Sequence, residues 1–345
     1  MAGNRHHILP RFLLKGVASR VTGTEVFTWV YRKEEKVFEA NIKNIGVERN
    51  FYGREGELTA DAEITNLENE FAILLDRLRA KSDQTEIHDP RVAEFVAHLC
   101  VRTRHLRESF LESSEVLLSK IPEHLFNVDN LKAFVSNHPE LMTQELEKVI
   151  ADNPMLEPYS KMLLQIGPTM AIALFDENKS DIGQLAQPLI SNLKGVLPRA
   201  VKEGHIKALA RAPIPEPRVE DYYILRWFVC ESESPLILGD IGCLFETAGT
   251  RRFKPLNEKS DEIRNIYLPI MSNRMLVGTA LPSAPTVDFR LIEEATVKCS
   301  KEFFVCSEAS QDRTRLLRLI GTESEIVTED DLDKIMSELV TAMAE

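Results

Sequence analysis

Arg102 sits in the run "FVAHLCVRTRHL", whose other members repeat apolar residues at helical spacing. Val92, Phe95, Leu99, Leu106 and Phe110 share its face, so one helix aims a guanidinium where its neighbours aim apolar groups. An arginine so placed cannot shed its charge and needs an anion beside it. Glu68 supplies one. It follows Ile64 by one turn, precedes Phe71 by three residues, and flanks the apolar stripe of the preceding helix. Consecutive helices with a short connection often pack antiparallel, so a Glu68–Arg102 pair is expected. Two chemistries fit that pair. It is either a structural buried ion pair, or Arg102 holds a substrate carboxylate or phosphate that Glu68 orients, Glu68 also being a candidate metal ligand.

The second chemical stretch is "RHHILPRFLLKGVASR", beginning at Arg5. His6 and His7 are adjacent, so on an extended segment they face opposite ways. One ring is free to act as an acid, a base or a ligand while the other bonds the backbone. Through Arg20 the stretch carries four basic residues and no acid, a local positive field that suits a phosphate or an acidic surface. Ile8, Leu9, Phe12, Leu13 and Leu14 are expected to dock against the body in either case.

These residues must be positioned by a chain of 345 residues, 43% hydrophobic and 28% charged, enough for a sizeable core. A net charge of -12 argues against non-specific nucleic-acid binding. No run of 18 apolar residues occurs, so no membrane span is expected. Five cysteines, an odd count without a CxxC pair, favour a reducing cytoplasm over a disulfide framework or cysteine zinc site. Walker A, GxGxxG, HExxH and GxSxG patterns are absent from the sequence.

The elements read as an α+β protein: a mainly helical body with a short N-terminal β-hairpin and a C-terminal antiparallel or mixed sheet. "EVFTWVYRKEEKVFEANI" reads as the hairpin and "NIGVERNFYGREGE" as loop. Ile64, Leu67, Phe71, Leu74 and Leu78 mark a helix capped at Thr59 or Asp61, and Asp89-Pro90 opens the next. Further helical patterns span 114–135, 139–152, 157–176 and 181–209, with Pro168 and Pro188 expected to kink or divide them. "RAPIPEPRVED", with three prolines, marks a boundary. Strands follow in "YYILRWFVCE", "PLILGDIGCLFE", "NIYLPIMSNRMLVGTA" and "EFFVCS", and a helix in "FRLIEEATVKCS". Thr328 and Asp331 have capping-box spacing before the last helix. The expected parts are 1–56 (segment and hairpin), 57–212 (helical body) and 218–345 (C-terminal α+β), the last packed with the rest as one compact unit.

Several separated motifs together resemble the largely bacterial domain-of-unknown-function family four-two-three-eight (DUF4238). His6-His7-x-x-Pro10-x-x-x-Leu14 resembles its entry motif and "WVYRK" its first strand. "NIGVERNFYG" is similar to the segment that places Glu48, Phe51 and Tyr52. "LENEFAILLDRL" and "FVAHLCVRT" resemble the helices carrying the family's glutamate and arginine, here Glu68 and Arg102. "LILGDIGCLF" and "LPIMSNRML" resemble its last blocks, placing Asp240 and Pro269. The chain departs from the family at Gly239-Asp240-Ile241-Gly242, where Ser-Asp-Asn-Pro is usual, and at Leu99, where a glutamine is common.

The resemblance implies no established activity, but it groups His6, His7, Glu48, Tyr52, Glu68, Arg102 and Asp240 as one convergent polar cluster. Two functions follow. One is a cytoplasmic bacterial hydrolase of a phosphorylated or nucleic-acid substrate, a divalent metal being one option and phage defence one setting. There, His6 or His7 would act as acid, base or ligand. Glu48, Glu68 and Asp240 would hold a metal or water, Arg102 would stabilise negative charge, and Tyr52 would donate a hydrogen bond. The other is a non-enzymatic binding or assembly protein in which the cluster fastens the N-terminal segment to the body. An open pocket favours the first; a sealed, fully paired cluster favours the second.

Overall fold

The computed structural model describes residues 5–34, 36–53, 59–124, 128–177 and 179–344. The N-terminal segment forms strand β1 (Arg5–His7) and a single helical turn, α1 (Arg11–Leu14), opened by Pro10. Strands β2 (Arg20–Thr22), β3 (Glu25–Arg32) and β4 (Lys36–Asn41) follow, β3 and β4 making the expected hairpin. The stretch expected to be loop contains a short strand, β5 (Val47–Arg49), because β1 folds back to pair with it. The end of that stretch, 54–58, lies outside the described residues.

Helix α2 (Asp61–Arg79) buries Ile64, Phe71, Leu74, Leu75 and Leu78, and Thr59 Oγ1 accepts the Asp61 N–H at its start. Strand β6 (Thr85–Ile87) leads to α3 (Arg91–Val101), where Asp89 accepts the Arg91 N–H. The sequence expectation of one helix running through to Phe110 does not hold. α3 stops at Arg102, and Thr103 Oγ1 accepts the Leu106 N–H to open α4 (Arg104–His124). Leu106 stays buried, whereas Phe110 is exposed. The threonine hydroxyl offers the backbone a new start where the apolar rhythm alone would continue.

Next come α5 (Val128–Asn137), α6 (Pro139–Asp152), α7 (Ser160–Glu177) and α8 (Lys179–Arg211). Neither Pro168 in α7 nor Pro188 and Pro198 in α8 divides its helix. Pro215 opens a short α9 (Glu216–Tyr223), so the strand expected from Tyr222 starts only at β7 (Arg226–Glu231). The rest is β8 (Ile237–Gly239), β9 (Leu244–Thr247), β10 (Phe253–Lys254), β11 (Ile263–Met271), β12 (Arg274–Thr279), α10 (Phe289–Cys299), β13 (Phe303–Cys306), α11 (Gln311–Leu316) and α12 (Glu329–Ala344).

The fold is α+β with three antiparallel sheets: β1-β5, a six-stranded sheet in the order β10-β9-β11-β12-β7-β6, and a five-stranded sheet β2-β3-β13-β8 with β4 on β3. The C-terminal strands therefore divide between two sheets, and each sheet recruits a strand from before residue 90. β8 and β9 look like a hairpin in sequence but separate at the turn around Gly242, whose φ of 74° suits glycine.

Two compact units result. One holds Met1–Ser109 with Lys202–Ile326, and the other Phe110–Val201 with Val327–Glu345. The first contains all three sheets. Its main core joins Leu9, Leu13, Leu14 and Val17 to the apolar faces of α2 and α3 and to strands β7, β11 and β12. In the second, α6 packs on α7 and α12 on α5. The Thr328–Asp331 capping box forms as the spacing predicts, and Leu332 and Met336 are the buried part of the α12 stripe.

Candidate functional site

The break after α3 decides where the Arg102 side chain goes. As the residue that caps the C-terminus of α3 it leaves the α-helical backbone (φ -95°, ψ 9°), and its side chain is 1% exposed. Its guanidinium is then spent in four directions. Nε donates to Tyr52 Oη at 2.9 Å, Nη2 donates to the His7 carbonyl at 2.7 Å, and Nη1 meets Glu68 Oε1 at 2.6 Å and His98 Nε2 at 3.2 Å. Four different acceptors take four of the five N–H donors of this planar group, the pairing a buried arginine needs.

Tyr52 closes the loop. Its hydroxyl accepts from Arg102 and donates to the same His7 carbonyl at 2.9 Å. Burial pushes its phenol up to about 12, so it remains a neutral donor. Alternation in β1 turns the His6 and His7 rings to opposite faces. His6 is buried, stacks on Tyr52 at 5.1 Å, and accepts the Tyr52 backbone N–H at Nδ1. That bond leaves its proton on Nε2, 3.6 Å from Asp61 Oδ1. The His7 ring is held down at about 4, first by burial and then by the Arg11 and Arg102 charges, so it is neutral at pH 7. The strongest contacts to His7 are made by its backbone oxygen, which any residue type would offer.

A second arginine repeats the pattern one residue earlier. Arg107 Nη2 donates to the Phe51 carbonyl at 2.8 Å, its guanidinium carbon lies 3.6 Å from the Phe51 ring centroid, and Nε donates to His205 Nδ1 at 3.0 Å. His205 in turn engages the Val101 carbonyl through Nε2 at 2.8 Å. Arg102 and Arg107 thus clasp the buried dipeptide Phe51-Tyr52, each beside a neutral histidine. Burial, with the neighbouring guanidinium adding, lowers His98 to about 3 and His205 to about 4. Sequence reading missed His98, His205 and Arg107. His98 had a local signal, since it stands one helical turn before Arg102 on the same face. His205 had none, being about a hundred residues away in sequence.

His6, Tyr52, Glu68 and Arg102 come together with the His7 carbonyl. Glu48 and Asp240 do not join them. Glu48 lies 3.6 Å from Arg107 Nη1 and 3.8 Å from Arg104 Nε, at the flank of the second clasp. Asp240 ends β8 and caps the start of β13, accepting the backbone N–H groups of Lys301, Glu302 and Phe303 at 2.6 to 3.1 Å. Burial nevertheless pushes its carboxyl up to about 6.

Asp240 borders a small cavity of about 80 Å³ with Arg32, Arg104, His105, Glu108 and Lys301. The basic groups there are largely answered: Arg104 meets Glu108 and Glu302, and Lys301 meets Glu108. Among the described residues, no three His, Cys, Asp or Glu side chains group as metal ligands. Glu48, Glu68 and Asp240 are each held by different partners, so these donors do not fit a shared ion.

A family model described as a protein of unknown function, DUF4238, matches residues 5–298. The chain belongs to that family. Comparison with curated proteins and with solved structures gives no match. The DUF4238 match spans both clasps, from His6 to His205, together with Asp240. Among the described residues of this DUF4238 protein, no helix is long and apolar enough to cross a membrane.

Proposed function

We propose that this DUF4238 protein is a non-enzymatic binding or assembly protein in which the Arg102 network is a structural staple. The carrying observation is that the Arg102 guanidinium is sealed from solvent and committed to Tyr52, Glu68, His98 and the His7 carbonyl. A group that stabilises charge on a substrate needs a donor pointing at where that charge develops. Here the donors point at the protein's own N-terminal strand. Five free, buried cysteines support placing the protein in the cytoplasm.

The test compares wild type with Arg102→Ala and with a chain lacking residues 1–20. The staple reading expects a large loss of thermal stability in both. It also expects no phosphomonoester or phosphodiester turnover by wild type, with or without added divalent metal. Turnover lost in a folded His7→Ala variant would overturn it.

One observation favours a second reading, a hydrolase of a phosphorylated or nucleic-acid substrate. Asp240, held near 6, borders the cavity that Arg104 and Lys301 also line. An acid of that strength beside two cations suits proton transfer to a leaving group. It expects turnover that falls as pH rises through about 6, an alkaline limb that Asp240→Asn abolishes.

A further inference from the structure

The unit formed by Phe110–Val201 and Val327–Glu345 carries 18 acidic residues against eight basic ones, or -10 of the chain's -12. It also holds six of the nine methionines. Three of these stand with a tyrosine and an isoleucine in one row: Met155, Tyr159, Met162, Ile166 and Met170. From Tyr159 on, the steps of three, four and four keep successive members on one side of an α-helix, and Met155 precedes them in a 3-10 helix. The row begins in the turn Pro154–Tyr159 and continues along α7. Every member is exposed, Met155 by 88%. Beside the row α7 packs on α6: at Gly167 an added Cβ would come 2.3 Å from Leu146 Cδ1. The row is an exposed face of a packed helix, ~17 Å long from Tyr159 to Met170 and extended by Met155.

An apolar seam of that length normally receives another helix. Charge selects which kind. A second copy would bring -10 against -10, whereas a basic segment gains Coulomb energy on approach. Near it in sequence, Asp152 at the end of α6 and Glu157 are exposed, as is Lys161. Methionine side chains adapt to irregular partner surfaces.

We propose that the α7 seam docks a basic amphipathic helix of a partner protein. This rests on the binding-protein reading and supplies its partner class.

The experiment measures fluorescence anisotropy of a labelled lysine–leucine amphipathic peptide of about 18 residues against the full chain. A peptide of the same composition with scrambled order is the control, and a Met162→Glu/Ile166→Glu variant is the second protein. The added glutamates increase attraction for a cation but spoil the seam. The expected result is binding by wild type, weakened by salt, with little binding of the scrambled peptide. The variant should bind at least about ten-fold more weakly, a loss of ~1.4 kcal/mol, while its circular-dichroism melt is unchanged. Equal binding of both peptides, or tighter binding by the variant, would show charge alone and overturn the proposal. So would no binding at all, or a wild-type dimer in the ultracentrifuge that Ile166→Glu dissolves. Each of these outcomes leaves the Arg102 stability test unaffected, whereas phosphoester turnover would overturn the underlying reading instead.

Discussion

Arg102→Ala removes one buried charge and takes the guanidinium from Glu68 and His98 Nε2, leaving Tyr52 Oη and the His7 carbonyl only each other. The expected cost is about 3–5 kcal/mol in urea unfolding. Arg102→Lys should recover little of it, because a single ammonium cannot reach acceptors on four sides. Tyr52→Phe should cost about 1–3 kcal/mol, since its hydroxyl bonds both Arg102 and His7. The neutral histidines set the pH response. His7, His98, His105 and His205 are held at about 4, 3, 4 and 4 against an ordinary 6.5. Below pH 6.5 the unfolded chain binds protons that the folded chain refuses, so stability falls from pH 6.5 down towards pH 3–4. Asp240, raised to about 6, acts in the opposite sense: between its ordinary 3.8 and 6 the folded chain holds the extra proton. Four histidines against one carboxyl predict a net loss of melting temperature in acid, and Asp240→Asn should make it steeper. An unchanged melting temperature from pH 7 to 5 would contradict this. At this scale the sequence exposed Arg102 and Glu68 because a charge on an apolar face is locally anomalous. It left the arginine–histidine pairing of Arg107 with His205 hidden, because nothing near either residue marks the other.

The helices and most strands were legible as elements, since periodicity and capping act over a few residues. The Thr328–Asp331 box, the β3–β4 hairpin and the α2 stripe formed as read. The break at Arg102–Thr103 was not legible, because the apolar rhythm of α3 continues into Leu106 and only a threonine cap interrupts it. Thr103→Ala should therefore cost about 0.5–2 kcal/mol and loosen the Arg102 clasp with it. Docking of the N-terminal segment depends on close backbone approach. Gly16 lies against β11, where a Cβ would come 2.2 Å from the Ile270 carbonyl oxygen, and its own carbonyl accepts the Ser272 N–H. Arg79 ties the same place together, donating to the carbonyls of Ile270 and Phe12. Gly16→Ala should lose about 1–3 kcal/mol in urea unfolding. Gly204→Ala in α8, where nothing lies within 4 Å, should be neutral or stabilising by up to about 1 kcal/mol. Equal effects at the two sites would contradict the close approach at Gly16.

Across the whole chain, sequence reading placed the opening segment against a core but could not show which strands share a sheet. β3 pairs with β13 and β6 with β7, partners separated by well over a hundred residues, and such pairing leaves no local trace. For the same reason the compact units join early and late segments rather than following chain order. Leu9, Leu13, Leu14 and Val17 are fully buried in the main core. At about 1.5–3 kcal/mol each, their removal would cancel the typical stability of a whole domain. Deleting residues 1–20 should thus yield a chain that aggregates or fails a cooperative melt, rather than a folded protein lacking a tail. The central claim is that the Arg102 guanidinium is a sealed fastening and not a ligand site. Phenylglyoxal labelling of the native protein, read by mass spectrometry, tests it most directly. Half-exposed Arg104 should react while Arg102 stays protected until urea unfolds the chain. Native-rate labelling of Arg102, suppressed by added phosphate, would contradict the account.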